Sequence, residues 1–316
     1  MNSGAQQRSD RRPQQDRRRL RVAVSGAGGL VGSALRDALE QRGDEVLPLV
    51  RRQARQEGEI GWDPGSGLIA PAQAERLDAL VHLAGENIAD GRWTTAKKRR
   101  IFDSRGPATA RLVESLEQLQ APPAALVCAS ASGYFGDRGD ELLHEQSLPG
   151  DGFLADVCRA WEAAAGAAED VCDRVAIARL GVVLSRRGGA LGRMMPIFKL
   201  GMGGRLGSGD QYFPWITLED AVAAFLLLID DASTNGPYHL VGAEPVTNAE
   251  FTSELGRVLH RPTIVPAPAI GLRLVLGEAA DEMLLASARL STQRLLDAGF
   301  EHRHPMLRGA LESVLG

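Results

Sequence analysis

Glycines with the spacing of a phosphate-binding turn stand near the amino terminus of the chain. Gly26, Gly29 and Gly32 follow a short apolar run and precede an apolar, helix-like pattern. In such a unit the first glycine makes a tight turn, the second lets the backbone approach a phosphate, and the third lets helix and strand pack closely. The helix N-terminus then binds the pyrophosphate of a dinucleotide, with Leu30 and Val31 among the contact residues. The alternative is a glycine-rich turn with no ligand.

The residues after the second apolar run distinguish between the two nicotinamide cofactors. An enzyme that uses NAD usually has an Asp or Glu there, about 20 residues beyond the glycines, to bind the ribose 2′-hydroxyl. This run instead ends in Val50-Arg51-Arg52, with no acid at that end. Because a guanidinium group suits a phosphate well, the pattern favours NADP over NAD. The alternative is that both arginines are exposed loop residues in a chain that prefers Arg to Lys.

Two later apolar runs end in small residues, which would let the backbone pass close to a bound dinucleotide. One run ends in Leu83-Ala84-Gly85, and the other ends in small and hydroxyl residues around Ser130, where the nicotinamide would lie. Ordinary close packing of a strand on a helix is the alternative for each segment taken alone.

Tyr134 and Ser130 are the candidates for proton transfer and carbonyl polarisation. Tyr134 follows the Ser130 segment directly, so its phenol can be the acid or base that accompanies hydride transfer. The alternatives are a packing anchor for Tyr134 and a bond to the cofactor amide for Ser130. His82, inside a buried run, is expected to be a satisfied core histidine, while Glu86 and Asn87 can orient a substrate.

Length and composition are those of a globular protein with a substantial core. The chain has 316 residues and a formal charge of −4, so its overall charge does not favour nucleic acid. Its three cysteines form no C-x-x-C pair and are expected to be reduced, buried thiols of a cytoplasmic protein. The sequence suggests no signal peptide, metal site or membrane span. Residues 1–19, rich in Arg and Gln, are predicted to form a disordered basic tail.

Apolar runs alternate with amphipathic stretches, which predicts an α/β fold with a doubly wound parallel sheet of about six strands. The sheet domain, which would bind NADP, is expected over 20–181 and about 215–241. A smaller, mostly helical lobe over 182–214 and 242–316 would bind the substrate. This lobe would cover the carboxyl ends of the strands, the edge where open α/β sheets bind ligands.

Three local patterns refine this prediction. A polar, glycine-rich piece over 53–71 has no predicted strand, and a long helix over 94–119 is predicted to break near Pro107. Capping boxes that begin at Thr217 and Thr247 are predicted to open two later helices.

Several motifs along the chain can be taken together: the glycine turn, 82–88, 104–105, 133–137, 161–162, 179–184, 214–216 and 246–251. They resemble the atypical extended short-chain dehydrogenase/reductases, and more narrowly the epimerase-like subgroup that ends in a domain of unknown function. The resemblance covers residue 20 to the C-terminus and implies an extended Rossmann fold with an NADP-type cofactor. It also implies that Arg51 and Arg105 lie near the cofactor phosphates, with Leu83 and Ala84 along the dinucleotide.

The chain departs from the wider superfamily at the catalytic pair. There a Tyr and a Lys stand four residues apart on one helical face, and the ammonium lowers the pKa of the phenol that moves the proton. Phe153 and Val157 take these two places here, and neither can move a proton. The departure puts the standard mechanism in doubt. Because the subgroup itself generally lacks this pair, its absence does not indicate that this protein has lost an activity.

Three functional hypotheses follow. The first is an NADP(H)-dependent oxidoreductase, or an epimerase-like enzyme, that acts on an unidentified small molecule through Tyr134 and Ser130. The alternative from another class is a non-catalytic NADP(H)-binding sensor or scaffold, which the missing Tyr/Lys pair favours. A nucleotide-sugar epimerase is the third hypothesis, which the missing pair disfavours. We expect a monomer or homodimer with no nucleic-acid or membrane partner.

Overall fold

The computed structural model describes residues 18–316, so residues 1–17 of the predicted basic tail lie outside the described residues. The described residues form twelve strands: β1 (Arg21–Ser25), β2 (Glu45–Val50), β3 (Ile60–Asp63), β4 (Gly67–Leu68), β5 (Ala79–His82), β6 (Ala125–Ala131), β7 (Leu142–Leu143), β8 (Arg174–Leu180), β9 (Val182–Leu184), β10 (Trp215–Thr217), β11 (Gly236–Leu240) and β12 (Arg289–Leu290). They also form eleven helices: α1 (Leu30–Gln41), α2 (Thr95–Asp103), α3 (Gly106–Leu116), α4 (Phe153–Gly166), α5 (Gly189–Lys199), α6 (Leu218–Asp230), α7 (Asn248–Leu259), α8 (Ala269–Leu276), α9 (Glu278–Ala280), α10 (Gln293–Asp297) and α11 (Leu307–Leu315).

The main sheet has eight strands in the order β11-β8-β6-β5-β1-β2-β3-β4. Neighbouring strands from β11 to β3 are parallel, and only β4 runs antiparallel to its neighbour. The chain leaves β1 toward β2 on one side and then crosses to β5 on the other. The strand order therefore reverses between β1 and β5, which is the doubly wound α/β arrangement that the sequence predicts.

The sheet has more strands than the alternation of apolar runs indicates. β3 and β4 lie within 53–71, the segment without a predicted strand. Ile60, Gly61 and Trp62 of β3 are all buried, and β4 has only two residues. A four-residue strand that contains a glycine and is buried on both faces has no period-two pattern, so the sequence prediction missed it.

Helices cover both faces of the sheet, and adjacent residues of β1 belong to different apolar clusters. Val24 packs in a cluster with Leu35 of α1 and Phe225 of α6, whereas Ala23 belongs to a cluster with Leu112 of α3. Because successive side chains of a strand point to opposite faces, the buried run that opens the chain must be apolar throughout.

A third apolar cluster lies outside the main sheet and joins β9, α5, β10, α7 and α11. β9 and β10 form a separate parallel pair. Both β9 and α5 lie in 182–214, the first part of the predicted smaller lobe. The residues of the cluster are Leu184, Leu191, Phe198, Trp215, Val246, Phe251, Leu255, Leu307, Ala310 and Leu311.

The two predicted capping boxes differ in the structure. At α7 the hydroxyl of Thr247 accepts the N–H of Glu250, and the Glu250 carboxylate accepts the N–H of Thr247 at 2.7 Å. At α6 the hydroxyl of Thr217 accepts the N–H of Asp220, but the Asp220 carboxylate binds the N–H of Arg303 instead. The first box is confirmed, and the second is only half formed because a distant segment takes the carboxylate.

The predicted long helix over 94–119 is two helices, α2 and α3, which meet at Ser104 and Arg105. Pro107 stands in the first turn of α3, where its missing N–H has no helical partner to lose. Across residues 18–316, no helix combines the length and the apolar character that crossing a bilayer requires.

Two glycines at the junction of β1 and α1 are explained by the structure, Gly26 by its backbone conformation and Gly32 by close packing. Gly26 has a φ of +67°, a conformation that residues with a side chain rarely adopt. A Cβ on Gly32 would overlap the carbonyl oxygen of Gly26, whereas a Cβ on Gly28 would meet nothing within 4 Å. The third glycine of the motif is therefore required by the close approach of helix and turn.

We predict that Gly32→Ala lowers the free energy of unfolding by about 1–3 kcal/mol, because the added methyl forces the turn away from the helix. Gly28→Ala is the matched control and should change stability by less than about 0.5 kcal/mol. Urea denaturation followed by tryptophan fluorescence measures both values. Equal stabilities of the two variants would contradict the close approach.

Candidate active site

The turn between β1 and α1 presents free backbone donors at the carboxyl edge of the sheet. The N–H of Gly29 bonds to the carbonyl of Gly26 at 2.9 Å, which closes the turn. Gly29 also begins α1, and no side chain caps this helix. The first N–H groups of α1, which include those of Leu30 and Val31, therefore have no helical partner and remain available to an anion.

A buried hydroxyl fixes the end of β5 beside this turn. The Oγ of Ser25 accepts the N–H groups of Leu83 and Ala84 at 3.0 and 3.1 Å, and it lies 2.8 Å from Nδ1 of His82. Because the oxygen already accepts two bonds, its proton is donated to Nδ1. A Cβ on Gly26 would lie 2.9 Å from the carbonyl carbon of Leu83, so β1 and β5 meet here with no room for a side chain.

His82 is fully buried and neutral. Burial, with a smaller contribution from the positive charge of Arg105, lowers the pKa of His82 to about 4. Its Nδ1 is bonded to Ser25, but its Nε2 has no partner among residues 18–316. The sequence predicted a core histidine with both ring nitrogens hydrogen-bonded. This prediction is confirmed for Nδ1 and is wrong for Nε2.

The two arginines after β2 have different environments. Arg52 makes a bidentate ion pair with Glu59, at 2.7 and 2.8 Å. The bond from Arg52 lowers the pKa of Glu59 to about 2. Arg51, which follows Val50 at the end of β2, is exposed and makes no hydrogen bond or ion pair with another described residue. Arg51 alone is therefore free to meet a phosphate.

Arg105 lies between α2 and α3 and points back to the end of β5. Its Nη1 donates to the carbonyl oxygens of Glu86 and Ile101 at 3.1 and 3.3 Å. A Cβ on Gly85 would lie 3.0 Å from the Arg105 guanidinium carbon, which explains the small residue at that position. Burial lowers the pKa of Arg105 from its ordinary value, but the group remains charged. Its Nη2 has no protein partner among the described residues.

A buried ion pair lies beside the end of β6. Arg179 of β8 donates to both carboxylate oxygens of Glu162 on α4, at 2.9 and 2.8 Å. The hydroxyl of Ser130 donates to the same carboxylate at 2.6 Å. Arg179 is 3% exposed, and its Nη1 also donates to the carbonyl of Glu145. Since the single proton of Ser130 is bound by Glu162, a substrate carbonyl would have to displace that bond.

Tyr134 lies against this ion pair. Its ring centroid is 3.7 Å from the guanidinium carbon of Arg179. In contrast to Ser130, its hydroxyl has no hydrogen-bond partner within residues 18–316. Tyr134 is held in the short 3-10 turn that follows β6, and the N–H of Gly150 bonds to its carbonyl at 3.1 Å. The two sequence-predicted catalytic residues are thus brought together, but only the phenol is uncommitted.

Phe153 and Val157 lie in the first two turns of α4, four residues apart, as predicted from the positions of the missing Tyr/Lys pair. The Phe153 ring lies between Trp93, at 5.3 Å, and the ammonium of Lys98, at 4.5 Å. Val157 is buried in the core. The N–H groups that open α4 bond to the carboxylate of Glu282, from the C-terminal part of the chain. No proton-transfer group replaces the missing pair at these two positions.

Three residues of this site were missed as functional candidates. Ser25 is a small polar residue at the end of an apolar run, immediately before the first glycine. Arg179 is a charged residue inside an otherwise apolar strand, and such a residue must find a partner when it is buried. Glu162 is that partner. The two residues are 17 positions apart in the sequence, so no local pattern could predict that they pair.

The glycine turn at the point where the strand order reverses, together with the small residues that end β5 and β6, defines a dinucleotide-binding Rossmann protein of the short-chain dehydrogenase/reductase type. Comparison with known proteins narrows this class. The chain belongs to the NAD dependent epimerase/dehydratase family, whose model matches residues 22–241. Residues 267–314 match a domain of unknown function, DUF1731. The resemblance proposed from the motifs is thereby confirmed.

Relatives match over nearly the whole chain. The epimerase family protein Mb2239 of Mycobacterium bovis is 44% identical over 290 residues, which are 92% of this chain and 96% of the relative. A crystal structure of human epimerase family protein SDR39U1 (isoform 2) with NADPH is 34% identical, with a TM-score of 0.85, and covers 93% of this chain and 99% of that one. A nucleoside-diphosphate sugar epimerase from Corynebacterium glutamicum is 36% identical, with a TM-score of 0.78, over 95% of this chain and 59% of that one.

We predict that His82→Gln reduces the acid sensitivity of the protein. Because the pKa of His82 in the folded protein is about 4, against 6.5 ordinarily, the unfolded chain binds a proton between these values that the folded chain does not. The free energy of unfolding therefore falls as the pH drops through this window, by about 1.4 kcal/mol per pH unit for one such group.

The amide oxygen of the new Gln can still accept the proton of Ser25, so the variant keeps the local bond. Chemical denaturation of wild type and variant at several pH values from about 4 to about 7 measures the two slopes. The slope of the variant should be smaller by about one proton, and identical slopes would contradict the buried neutral histidine.

Proposed function

We propose that this protein is an NADPH-dependent oxidoreductase that reduces a small carbonyl compound. The observation that carries this proposal is the phenol of Tyr134, which stands without a partner at the carboxyl edge of β6, against the guanidinium of Arg179. Tyr134 is half-buried and its hydroxyl bonds to no other residue within 18–316, so at the ligand-binding edge of the sheet this hydroxyl is accessible to a ligand.

Three features support NADPH as the cofactor. The turn around Gly26 and the bare N-terminus of α1 fit a pyrophosphate, since they offer N–H groups and leave no space for side chains. Arg51 has no partner among residues 18–316, and it follows the strand that ends beside the adenosine ribose in such folds. The human relative was crystallised with NADPH, which agrees with this assignment. Arg105 would contribute its free Nη2 to the phosphates.

When bound, the nicotinamide supplies a hydride to the carbonyl carbon of the substrate. The chain supplies the rest. Tyr134 holds a proton on its phenol oxygen and transfers it to the carbonyl oxygen as negative charge develops there. Arg179 fixes the ring of Tyr134 from one face and stabilises the charge that the phenol oxygen acquires.

Ser130 and Glu162 have supporting roles in this proposal. The bidentate bonds from Glu162 hold the guanidinium of Arg179 in one orientation, and the bond from Ser130 holds the carboxylate. Because the proton of Ser130 points to Glu162, the free lone pair of Ser130 can accept the amide of the nicotinamide. We propose that the parts of the chain over 182–214 and 242–316 form the substrate-binding lobe. The free, buried Cys128, Cys158 and Cys172 support a cytoplasmic setting.

We predict that Arg51→Ala weakens NADPH binding about 10- to 100-fold, because one charge-assisted bond to a phosphate is lost. NADH binding should change little, since NADH lacks the 2′-phosphate. Arg52→Ala is the matched control, because the side chain of Arg52 is already held by Glu59. Isothermal titration calorimetry measures these affinities, and wild-type protein that binds NADPH and NADH equally would refute the assignment of Arg51.

We predict that Tyr134→Phe lowers kcat by about 10²- to 10⁴-fold, with NADPH affinity unchanged, because only the proton donor is removed. Loss of nicotinamide absorbance with a panel of aldehydes and ketones measures turnover, and Tyr238→Phe, in β11, is the control. Turnover that survives in Tyr134→Phe would remove this residue from the mechanism. Tight NADPH binding with no reduction of any compound by the wild type would instead favour a non-catalytic sensor.

A further inference from the structure

α5 and α8 expose large apolar side chains on one continuous surface. α8 has no buried residue at all. Together with the segments that join them, the two helices carry eight large apolar residues that are each at least half exposed. We call this surface the α5–α8 face; its residues are Ile197, Leu200, Met202, Ile264, Val265, Ile270, Leu274 and Val275.

The exposed apolar residues of α5 form a stripe along the helix, and this stripe starts at the loop that follows β5. Arg193 of α5 donates to the carbonyl of Ala89 at 2.7 Å and pairs with Asp90. Ile197 and Leu200 stand four and seven residues after Arg193, so they lie on the same side of the helix. This stripe therefore extends about 10 Å from the loop along α5, at 1.5 Å per residue.

The stripe on α8 starts at the same loop. Gly277 ends α8, and a Cβ there would lie 3.5 Å from Nη2 of Arg92, two residues after the Asp90 that binds α5. Leu274 and Ile270 stand three and seven residues before Gly277, on the same side of the helix. Both apolar stripes thus start at the same short segment of the loop, residues 89–92.

The far ends of the two helices are joined by one side-chain and one backbone hydrogen bond. The Nε of Arg261 donates to the carbonyl of Lys199 at 2.9 Å, and the N–H of Ala267 donates to the carbonyl of Arg205 at 2.9 Å. The segments after α5 and before α8 therefore run side by side. The two helices are therefore connected at both ends, at the loop after β5 and at the segments that follow α5 and precede α8. We call this closed outline the rim; α5 and α8 form its two long sides, and both carry exposed apolar residues.

The rim is continuous with the cofactor edge of the sheet. The loop at its base follows Gly85, the last of the small residues that end β5. At the start of α5, a Cβ on Gly189 would lie 3.3 Å from Cδ2 of Leu30, in the glycine turn. Tyr134 is connected to the same loop through the start of α4: a Cβ on the adjacent Gly133 would lie 3.2 Å from Cβ of Leu154, and the Phe153 ring contacts Trp93 of the loop at 5.3 Å.

The geometry points to a substrate that carries an unbranched apolar chain, which lies along the α5–α8 face while its carbonyl group is reduced. This inference rests on the proposed reductase activity and adds the substrate class. In the reaction the aldehyde carbon gains the hydride of NADPH, its oxygen gains the phenol proton of Tyr134, and the products are a primary alcohol and NADP⁺. The phenol regains its proton from water.

A chain-length series tests the inference. NADPH consumption gives kcat/KM for unbranched aldehydes from propanal to decanal. In the wild type this value should rise about two- to fourfold with each methylene that reaches the face. Ile197→Gln and Leu274→Gln should flatten this dependence, because a polar side chain no longer shields the methylenes of the substrate from water. Ile69→Gln is the matched control, since Ile69 is 40% exposed but directly follows β4, outside both the face and the proposed substrate-binding lobe.

A binding measurement separates this inference from the proposed activity. Decanol is titrated calorimetrically into the NADPH complex of each protein. Leu274→Gln should bind decanol about tenfold more weakly than wild type and Ile69→Gln do. If no aldehyde is reduced but decanol follows this order, the reductase proposal fails and the binding face stands.

Three results would overturn the inference. The first is a chain-length dependence that is unchanged in the two variants of the face. The second is decanol that does not bind, or that binds wild type and Leu274→Gln equally. The third is a wild-type dimer in light scattering that Leu274→Gln converts to a monomer, because the face would then be covered by a second copy of the chain.

Discussion

The hydroxyl of Ser25 joins the end of β1 to the end of β5, and the geometry of the cofactor edge depends on this junction. It accepts two backbone N–H groups and donates to a buried imidazole, so all its hydrogen-bonding capacity is used. The bonds hold the chain after β5 against Gly26, where no side chain fits. The small residues around this contact follow from it, because any larger group would separate the two strands at the point where their order reverses.

The second organising feature is the ion pair of Glu162 and Arg179, in which Arg179 is buried and Glu162 is mostly buried. Burial of two charges is tolerated here because both carboxylate oxygens are bonded and Ser130 adds a third bond. The two bonds between Arg179 and Glu162, together with the bond from Ser130, orient the guanidinium. This oriented guanidinium supports the ring of Tyr134, while the phenol keeps its hydrogen-bonding capacity.

Local patterns in the sequence were enough to predict the parallel sheet, the glycine turn and the break in the helix over 94–119, because buried strands and amphipathic helices each have a recognisable hydrophobic period. Features that depend on distant partners could not be predicted. Arg51 and Arg52 are equivalent in sequence, and only the fold-back of Glu59 separates them. The half-formed capping box of α6 is a similar case, since the competing N–H comes from the far end of the chain. β3 and β4 were missed because they are too short to show a period.

The carboxylate of Glu282 accepts the first two N–H groups of α4, the helix that carries Glu162, from about 130 positions further along the chain. The segment that matches a separate family model therefore completes a helix of the nucleotide-binding unit. The two matched regions therefore share hydrogen bonds at the start of this helix. Recombination that exchanged the carboxyl-terminal region for an unrelated one would leave the start of α4 without its anionic cap, and the disturbance would reach the active centre through the helix itself.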